Sequence, residues 1–281
     1  MKLINSCLVI FLFTAVSYNA AARGHDLKIM TKARLYFEKG SLDKAYANYD
    51  MISRSSDFWL EAMEEKAQVM ARKKEYASAL ALLQTVLSPT FDGIVGPEPY
   101  LLTALIQLKT CDYSSVFKTS QLFKERFKKR TQALHEIENS ASSSAVTEFI
   151  KKLSSQPLDF SSLGALAKEL PRNIQRDQLL QKQSFSTKTA IRKRIKNLAQ
   201  EELSEIENIV NKLQIVEAEA IHHIYLAENS EIAREKQGKI ASGADVMTFP
   251  YKGEVWLDEI GNYSASIEKC STTVTNKKAS L

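Results

Sequence analysis

Residues 33–52 read ARLYFEKGSLDKAYANYDMI, and the spacing of small, aromatic and glycine residues in this stretch decides the fold. The same spacing returns 34 positions further on, in residues 67–86, which read AQVMARKKEYASALALLQTV. A third copy starts 37 positions later, in residues 104–123, which read ALIQLKTCDYSSVFKTSQLF. The three extra residues fit into the turn-rich stretch 91–99. Self-similarity at such a period indicates a repeat architecture.

Each copy begins with a small residue and has a small or β-branched residue twelve positions later. Side chains of this size let two antiparallel helices approach closely, while aromatic and aliphatic neighbours fill the remaining space. One helix pair cannot bury its apolar face alone, so the copies are expected to stack into a solenoid. The paired positions are Ala33 and Ala45, Ala67 and Ala79, and Ala104 and Val116.

This pattern resembles the tetratricopeptide repeat, and the resemblance covers about residues 27–130. The first copy matches best, although Ile29 stands where the family has a leading Trp, and Val116 replaces the usual Ala in the third copy. The resemblance implies a protein-binding scaffold whose concave groove is lined by the first helix of each pair. These groove candidates are mixed in charge, so no phosphate or carboxylate clamp is visible. They are Lys32, Arg34, Glu38, Glu64, Gln68, Arg72, Thr103 and Gln107.

Residues 1–22 have the features of a secretory signal peptide. Met1 and Lys2 precede an apolar run of about ten residues, and small residues spaced A-x-A follow. Cleavage is expected after Ala22, with Ala21 or Ala20 as alternatives. The other interpretation is an uncleaved anchor, but the run is shorter than the ~20 apolar residues of a membrane span. The mature chain is therefore expected to be soluble and periplasmic or secreted.

Composition limits the function classes of the 281-residue chain. Its formal charge of +5 is small, and an exported protein is not expected to bind nucleic acid. Two basic clusters allow contact with anionic lipid at a membrane surface or with an acidic partner; the alternative is a solvated face with Lys and Arg near a helix C-terminus. The clusters are Lys124, Arg126, Lys128, Lys129 and Arg130, and Arg192, Lys193, Arg194 and Lys196.

The sequence divides into a signal peptide (1–22), three repeats (23–135), a helical region with a C-terminal hairpin (140–270) and a disordered tail (271–281). Apolar spacing predicts a helix beginning near Ala145 and a long one from about 186 to 239. The fold class is therefore mainly α: a helical-hairpin solenoid, a long helix and a small β-hairpin.

Residues 249–267 carry the alternation of two short strands around Ile260-Gly261-Asn262. A lone hairpin is marginal in water, so it is expected to pack on the long helix. Its G-E-x-W-x-D-E-x-G-x-Y pattern is similar to tails of envelope tetratricopeptide proteins of gliding and predatory bacteria, which implies an adaptor for envelope assembly or motility. Trp256, Asp258 and Glu259 would form a binding patch; alternatively, the hairpin caps the helical array.

Two cysteines remain after removal of the signal peptide, which contains Cys7. Cys111 and Cys270 form an even pair in an oxidising compartment, which allows a disulfide. Two buried free thiols are the alternative.

No motif for catalysis, metal binding or phosphate binding is present. His222 and His223 are adjacent on a predicted helix, so their side chains point in different directions and cannot easily share one metal ion. We therefore expect a non-enzymatic protein with no cofactor and no metal that binds other envelope proteins. The alternative is a periplasmic enzyme, or a carrier of a ligand or metal, with its site in the helical second half.

The signal peptide generates the first prediction. Protein purified from its native host should begin near Arg23, because signal peptidase cuts after small residues that follow a short apolar run. N-terminal sequencing measures this directly, and retention of Met1 would identify residues 1–22 as an anchor.

Overall fold

The computed structural model describes residues 24–140, 143–155, 167–181 and 187–228, together with Tyr263 and Ala265. The described residues are mainly α-helical, which confirms the predicted class. The predicted signal peptide, hairpin and tail lie outside the described residues, apart from Tyr263 and Ala265, which have no regular secondary structure.

The chain forms two compact units. The first comprises Met1–Ser88 and Trp256–Glu268, and the second comprises Pro89–Val255 and Lys269–Leu281. The first two copies of the repeat therefore belong to the first unit and the third copy to the second.

The first unit contains four helices among its described residues. α1 spans residues 24–38, α2 Leu42–Asp50, α3 Trp59–Arg72 and α4 Tyr76–Val86. α3 packs against both α2 and α4. The core joins apolar side chains of the first three helices, namely Ile29, Met30, Ala33, Ala45, Tyr49, Ala62 and Val69.

The second unit begins with α5 (Glu98–Lys109) and α6 (Tyr113–Ser140), which form the hairpin of the third copy. α7 (Ser144–Ser155), a 3-10 turn (Arg172–Gln175), the short α8 (Gln178–Gln181) and α9 (Lys188–Glu228) follow. α9 is 41 residues long and packs against α5, α6 and α7.

The turn between the two helices has the same backbone geometry in all three copies. One residue adopts the left-handed conformation, and the next amide donates to the carbonyl five residues earlier at 2.9 Å. The amide of the left-handed residue itself donates to the carbonyl three residues earlier. Together these are the two hydrogen bonds of a Schellman motif, and they satisfy the last carbonyls of the first helix in each copy. The left-handed residues are Gly40 (φ 73°), Lys74 (φ 63°) and Cys111 (φ 61°).

The paired small positions are all fully buried. Ala33, Ala45, Ala67, Ala79, Ala104 and Val116 each have 0% exposure. Only a small side chain fits where two helices lie this close, so the sequence spacing and the turn geometry serve the same packing. The larger residues that end each copy, Ile52, Val86 and Phe123, are also buried.

Three aromatic rings join α5 to α6 in the core of the second unit. Tyr100 on α5 meets Phe123 and Phe127 on α6 edge-on, with ring centroids 5.4 and 5.7 Å apart. The two phenylalanines stack on each other at 4.7 Å. Such ring pairs stabilise by about 0.5–1.5 kcal/mol beyond the area they bury, so α5 and α6 are joined firmly at this end.

A buried ion pair connects α6 to α9 inside the second unit. Two nitrogens of the Arg130 guanidinium bind the carboxylate of Glu202: Nε donates to Oε1, and Nη2 donates to Oε2 at 3.1 Å. The two side chains are 8% and 1% exposed. Arg130 also donates to the carbonyls of Lys168 and Leu170, at 3.4 and 3.3 Å. One guanidinium thus holds a helix and an irregular segment together.

The same segment is fixed from its other side by Arg172. Its backbone amide donates to Oε2 of Glu202 at 2.8 Å, and its guanidinium pairs with Glu205. The guanidinium lies so close to Gly96 that a Cβ there would be 2.1 Å from Nη1. A side chain at position 96 would therefore displace the Arg172 guanidinium.

The first unit's packing generates a stability prediction. Ala45→Leu should lower the free energy of unfolding by about 1–3 kcal/mol, because the larger side chain overpacks a fully buried contact. Ala47→Leu is the matched control, since Ala47 is exposed on the same helix. Denaturant unfolding of both variants measures the difference, and equal stabilities would contradict the close approach of the helices at Ala45.

The buried ion pair generates a second stability prediction. Glu202→Gln should lower the free energy of unfolding by about 3–5 kcal/mol, because it leaves the Arg130 guanidinium buried without its counter-charge. Glu207→Gln, on an exposed position of the same helix, should change stability little. Thermal melts of the two variants measure the difference in stability. A small effect at both positions would show that the Arg130–Glu202 pair does not stabilise the fold.

Candidate functional site

The groove candidates of the first two copies lie where α1 and α3 run side by side. Arg34 on α1 donates from Nε to both carboxylate oxygens of Glu65 on α3, at 2.9 and 3.0 Å. Its Nη2 reaches Oε1 of Glu61 and Oε1 of Glu65, each at 2.5 Å. These hydrogen bonds, with that to Glu65 first, hold the pKa of Arg34 above its ordinary value. Arg34 is thus a fixed link between the two helices.

Glu65 also faces α2. Tyr49 is 3% exposed, and burial raises the pKa of its hydroxyl, with hydrogen bonding to Glu65 as the next cause. One carboxylate therefore contacts groups on α1 and α2 from its place on α3. The groove face is held in one conformation by these contacts, which lowers the ordering cost of binding a partner.

Arg72 forms a second link between α3 and α1. Its Nη1 donates to the carbonyl of Phe37 at 3.1 Å, and its guanidinium lies 4.5 Å from the centre of the Phe37 ring. The side chain nevertheless remains exposed. Lys32 is exposed as well, with its Nζ 5.9 Å from the centre of the Tyr36 ring.

The other candidates of this face differ in exposure. Glu38 is exposed near the C-terminal end of α1, while Glu64 and Gln68 are half-buried on successive turns of α3. The face therefore presents charged and amide groups of both signs along two neighbouring helices.

The two candidates of the third copy turn towards their own hairpin. Thr103 is buried, and its hydroxyl donates to the carbonyl of Pro99 at 2.8 Å. Gln107 accepts a hydrogen bond from the hydroxyl of Thr119 on α6 at 2.9 Å. Gln107 thus joins α5 to α6, whereas Thr103 is buried and its hydroxyl donates within α5.

The charge balance of the α1–α3 face indicates what it can bind. The Arg34 guanidinium (+1) meets the carboxylates of Glu61 and Glu65 (−2), which leaves a net charge of −1 at the cluster. The side chains are 44%, 29% and 19% exposed. Carboxylates of this kind accept charge-assisted hydrogen bonds from amide, ammonium or guanidinium groups. The cluster suits donor groups of a partner chain.

Sequence reasoning missed Glu61, Glu65 and Tyr49 as members of this face. A signal was present: Glu65 follows Thr31 by 34 positions, so the repeat register places it beside α1 within one helical turn of Arg34. The repeat period predicts neighbours across copies, which a search for motifs within one copy does not.

The basic clusters are not continuous exposed patches. Arg130 is buried on Glu202, and Arg126 contacts the hydroxyl of Tyr100 and the carboxylate of Asp92 at 3.1 and 3.2 Å. In the cluster that opens α9, Arg194 pairs with the buried Asp177 at 2.6 Å. Three arginines of the two clusters are thus paired with carboxylates of the same chain, and contact with a membrane surface stays a prediction. Lys128, Lys129 and Lys193 remain exposed.

The C-terminal candidates Trp256, Asp258 and Glu259 lie outside the described residues, as does Cys270. Cys111 forms a disulfide. Both other cysteines of the chain, Cys7 and Cys270, fall in stretches that the structure leaves undescribed, so the pairing of Cys111 with Cys270 stays a prediction.

The histidines of α9 serve local packing. The His223 ring stacks on Tyr113 with ring centroids 5.8 Å apart, and its Nε2 lies 3.3 Å from Glu219. Within the described ranges, no group of three or more His, Cys, Asp or Glu side chains is arranged to hold a metal ion. No helix in the same ranges is long and apolar enough to cross a membrane.

Comparison of the chain with protein-family models, with curated proteins and with solved structures gives no match. The function is therefore argued from the chain's own residues.

Proposed function

We propose that the chain is an exported, non-enzymatic scaffold that binds other proteins of a bacterial cell envelope. The observation that carries this proposal is the threefold recurrence of one helix–turn–helix geometry, with the same left-handed turn and the same buried small residues. Recurrence of this kind, with the spacing of tetratricopeptide repeats, favours a solenoid that presents a groove to partner proteins.

The α1–α3 face supports a binding role on chemical grounds. Arg34, Glu61 and Glu65 are ordered by mutual hydrogen bonds, and each is partly exposed. A partner segment would find fixed acceptors for its backbone amides or basic side chains. The contact would be polar, as expected for an adaptor that assembles reversibly.

The cellular setting rests on the two ends of the chain. The sequence of residues 1–22 favours export, and the tail pattern around Trp256 favours a place in envelope assembly or motility machinery. The partners would be other envelope proteins.

Site-specific photo-crosslinking in the native host tests the proposal. A photoreactive residue at Glu38 or Gln68 should give covalent adducts with envelope proteins, because both positions lie on the α1–α3 face. Ala47, exposed on α2, is the matched control position and should give few adducts. Equal yields from all three positions, or none from the face, would contradict a groove-binding scaffold.

A further inference from the structure

The C-terminal part of α9 exposes apolar side chains on the side of the helix away from its buried face. Leu213, Val216 and Ala220 are at most 5% exposed and form that buried face. Away from it lie four large apolar side chains that are each more than half exposed, which marks a candidate interaction surface. They are Ile215 (69%), Ile221 (58%), Tyr225 (63%) and Leu226 (52%).

The exposed residues of this part of α9 follow the heptad spacing of a coiled coil. Six of them recur in steps of three and four residues and fill positions a and d of three successive heptads. Ile221 and Leu226 take the flanking positions g and e, so they widen the apolar strip. Positions a are Asn208, Ile215 and His222, and positions d are Asn211, Ala218 and Tyr225.

The residues beside the strip favour a second copy of this chain, aligned in parallel. In a parallel pair of helices, a residue at position g faces position e of the next heptad on the other helix. This register places Glu207 beside Lys212 of the second copy, and the two side chains have opposite charges. The same register places Ile221 beside Leu226, so an apolar residue meets an apolar one. Each contact occurs twice in a symmetric dimer.

The antiparallel orientation fits the same residues less well. An antiparallel pair with Ile215 opposite Ala218 would set Tyr225 opposite Asn208. A parallel pair instead sets every position a or d opposite itself, so that Ile215 meets Ile215 and Asn208 meets Asn208. A polar Asn at position a specifies the register of two helices, and a β-branched residue at position a favours two strands.

The strip is held in place by the rest of the second unit. α9 packs against α5 and α6. Glu217 accepts a hydrogen bond from Lys124 of α6 at 3.2 Å, and the His223 ring stacks on Tyr113. The helix is therefore already formed on its buried side, which lowers the conformational entropy lost when a second helix pairs with it.

We propose that the chain forms a parallel homodimer through the exposed strip of α9, residues 207–226. Ile215, Ala218 and Tyr225 would pack against the same residues of the second copy, and Glu207 would pair with its Lys212. The surface lies on a different helix from the α1–α3 face, so this inference goes beyond the proposed function and does not depend on it.

Sedimentation equilibrium of the full mature chain over a range of concentrations tests the inference. The chain should dimerise, and Ile215→Glu should raise the dimer dissociation constant about tenfold or more, because it sets two like charges opposite each other at position a. Ile94→Glu is the matched control, since Ile94 is 61% exposed and lies outside α9. A monomer at concentrations up to about 100 μM would overturn the inference. Equal dimerisation by the two variants would overturn it as well.

Exchange of the charges at positions g and e tests the register. Lys212→Glu should weaken the dimer, because it places two carboxylates side by side across the contact. Addition of Glu207→Lys to this variant should restore the dimer. Residues five apart on one helix do not face each other, so restoration reports a contact between copies. Failure of the double variant to dimerise would contradict the proposed register.

Cysteine crosslinking tests the orientation. Ala218→Cys should form a disulfide between two copies on mild oxidation, because identical d positions lie opposite each other in a parallel pair. Ala47→Cys, at an exposed alanine of α2, is the matched control and should not crosslink. A dimer in which Ala218→Cys crosslinks only to Ile215→Cys of a second variant would overturn the parallel arrangement.

Discussion

A single left-handed residue between two helices sets the geometry of each helical hairpin. It reverses the chain within one residue, and the amide after it satisfies a carbonyl of the helix just ended. The second helix must then lie against the first at a distance that only Ala or Val tolerates. Gly40 adopts this conformation at no steric cost, whereas Lys74 and Cys111 bear a Cβ there. Lys74 and Cys111 keep the left-handed conformation because the buried small residues on both sides require the two helices to pack closely.

Much of the repeat geometry could be predicted from the sequence. The register 33, 67 and 104 identified the buried small residues, because helix spacing is fixed by local chain geometry. At the turn only Gly40 indicates a left-handed residue by its type, whereas Lys74 and Cys111 adopt that conformation without such a signal. The full length of α6 could not be predicted from the repeat pattern. It continues to Ser140, 28 residues in all, because α9 supplies a packing partner that the repeat pattern does not contain.

The polar part of the structure could not be predicted, because sequence patterns do not show which charges meet. Arg130 stands in a run of basic residues typical of a solvated face, yet its partner Glu202 lies 72 positions away and both are buried. Arg34 is a second case. The repeat implies its position on the groove, but its hydrogen bonds to Glu65 depend on how α3 packs beside α1. Ion pairs between distant segments depend on the packing of those segments, and packing is decided by apolar residues first.

The separation of paired residues along the chain also bears on the order of folding. Polar contacts between α1 and α3 span 31 and 35 positions, so these helices can meet soon after synthesis. The third copy must wait until residue 202 has emerged before the Arg130 guanidinium acquires its counter-charge. During that interval the α5–α6 hairpin exposes apolar surface and an uncompensated cation. A chain delivered N-terminus first would therefore need protection from aggregation in its second unit far more than in the helices of its first.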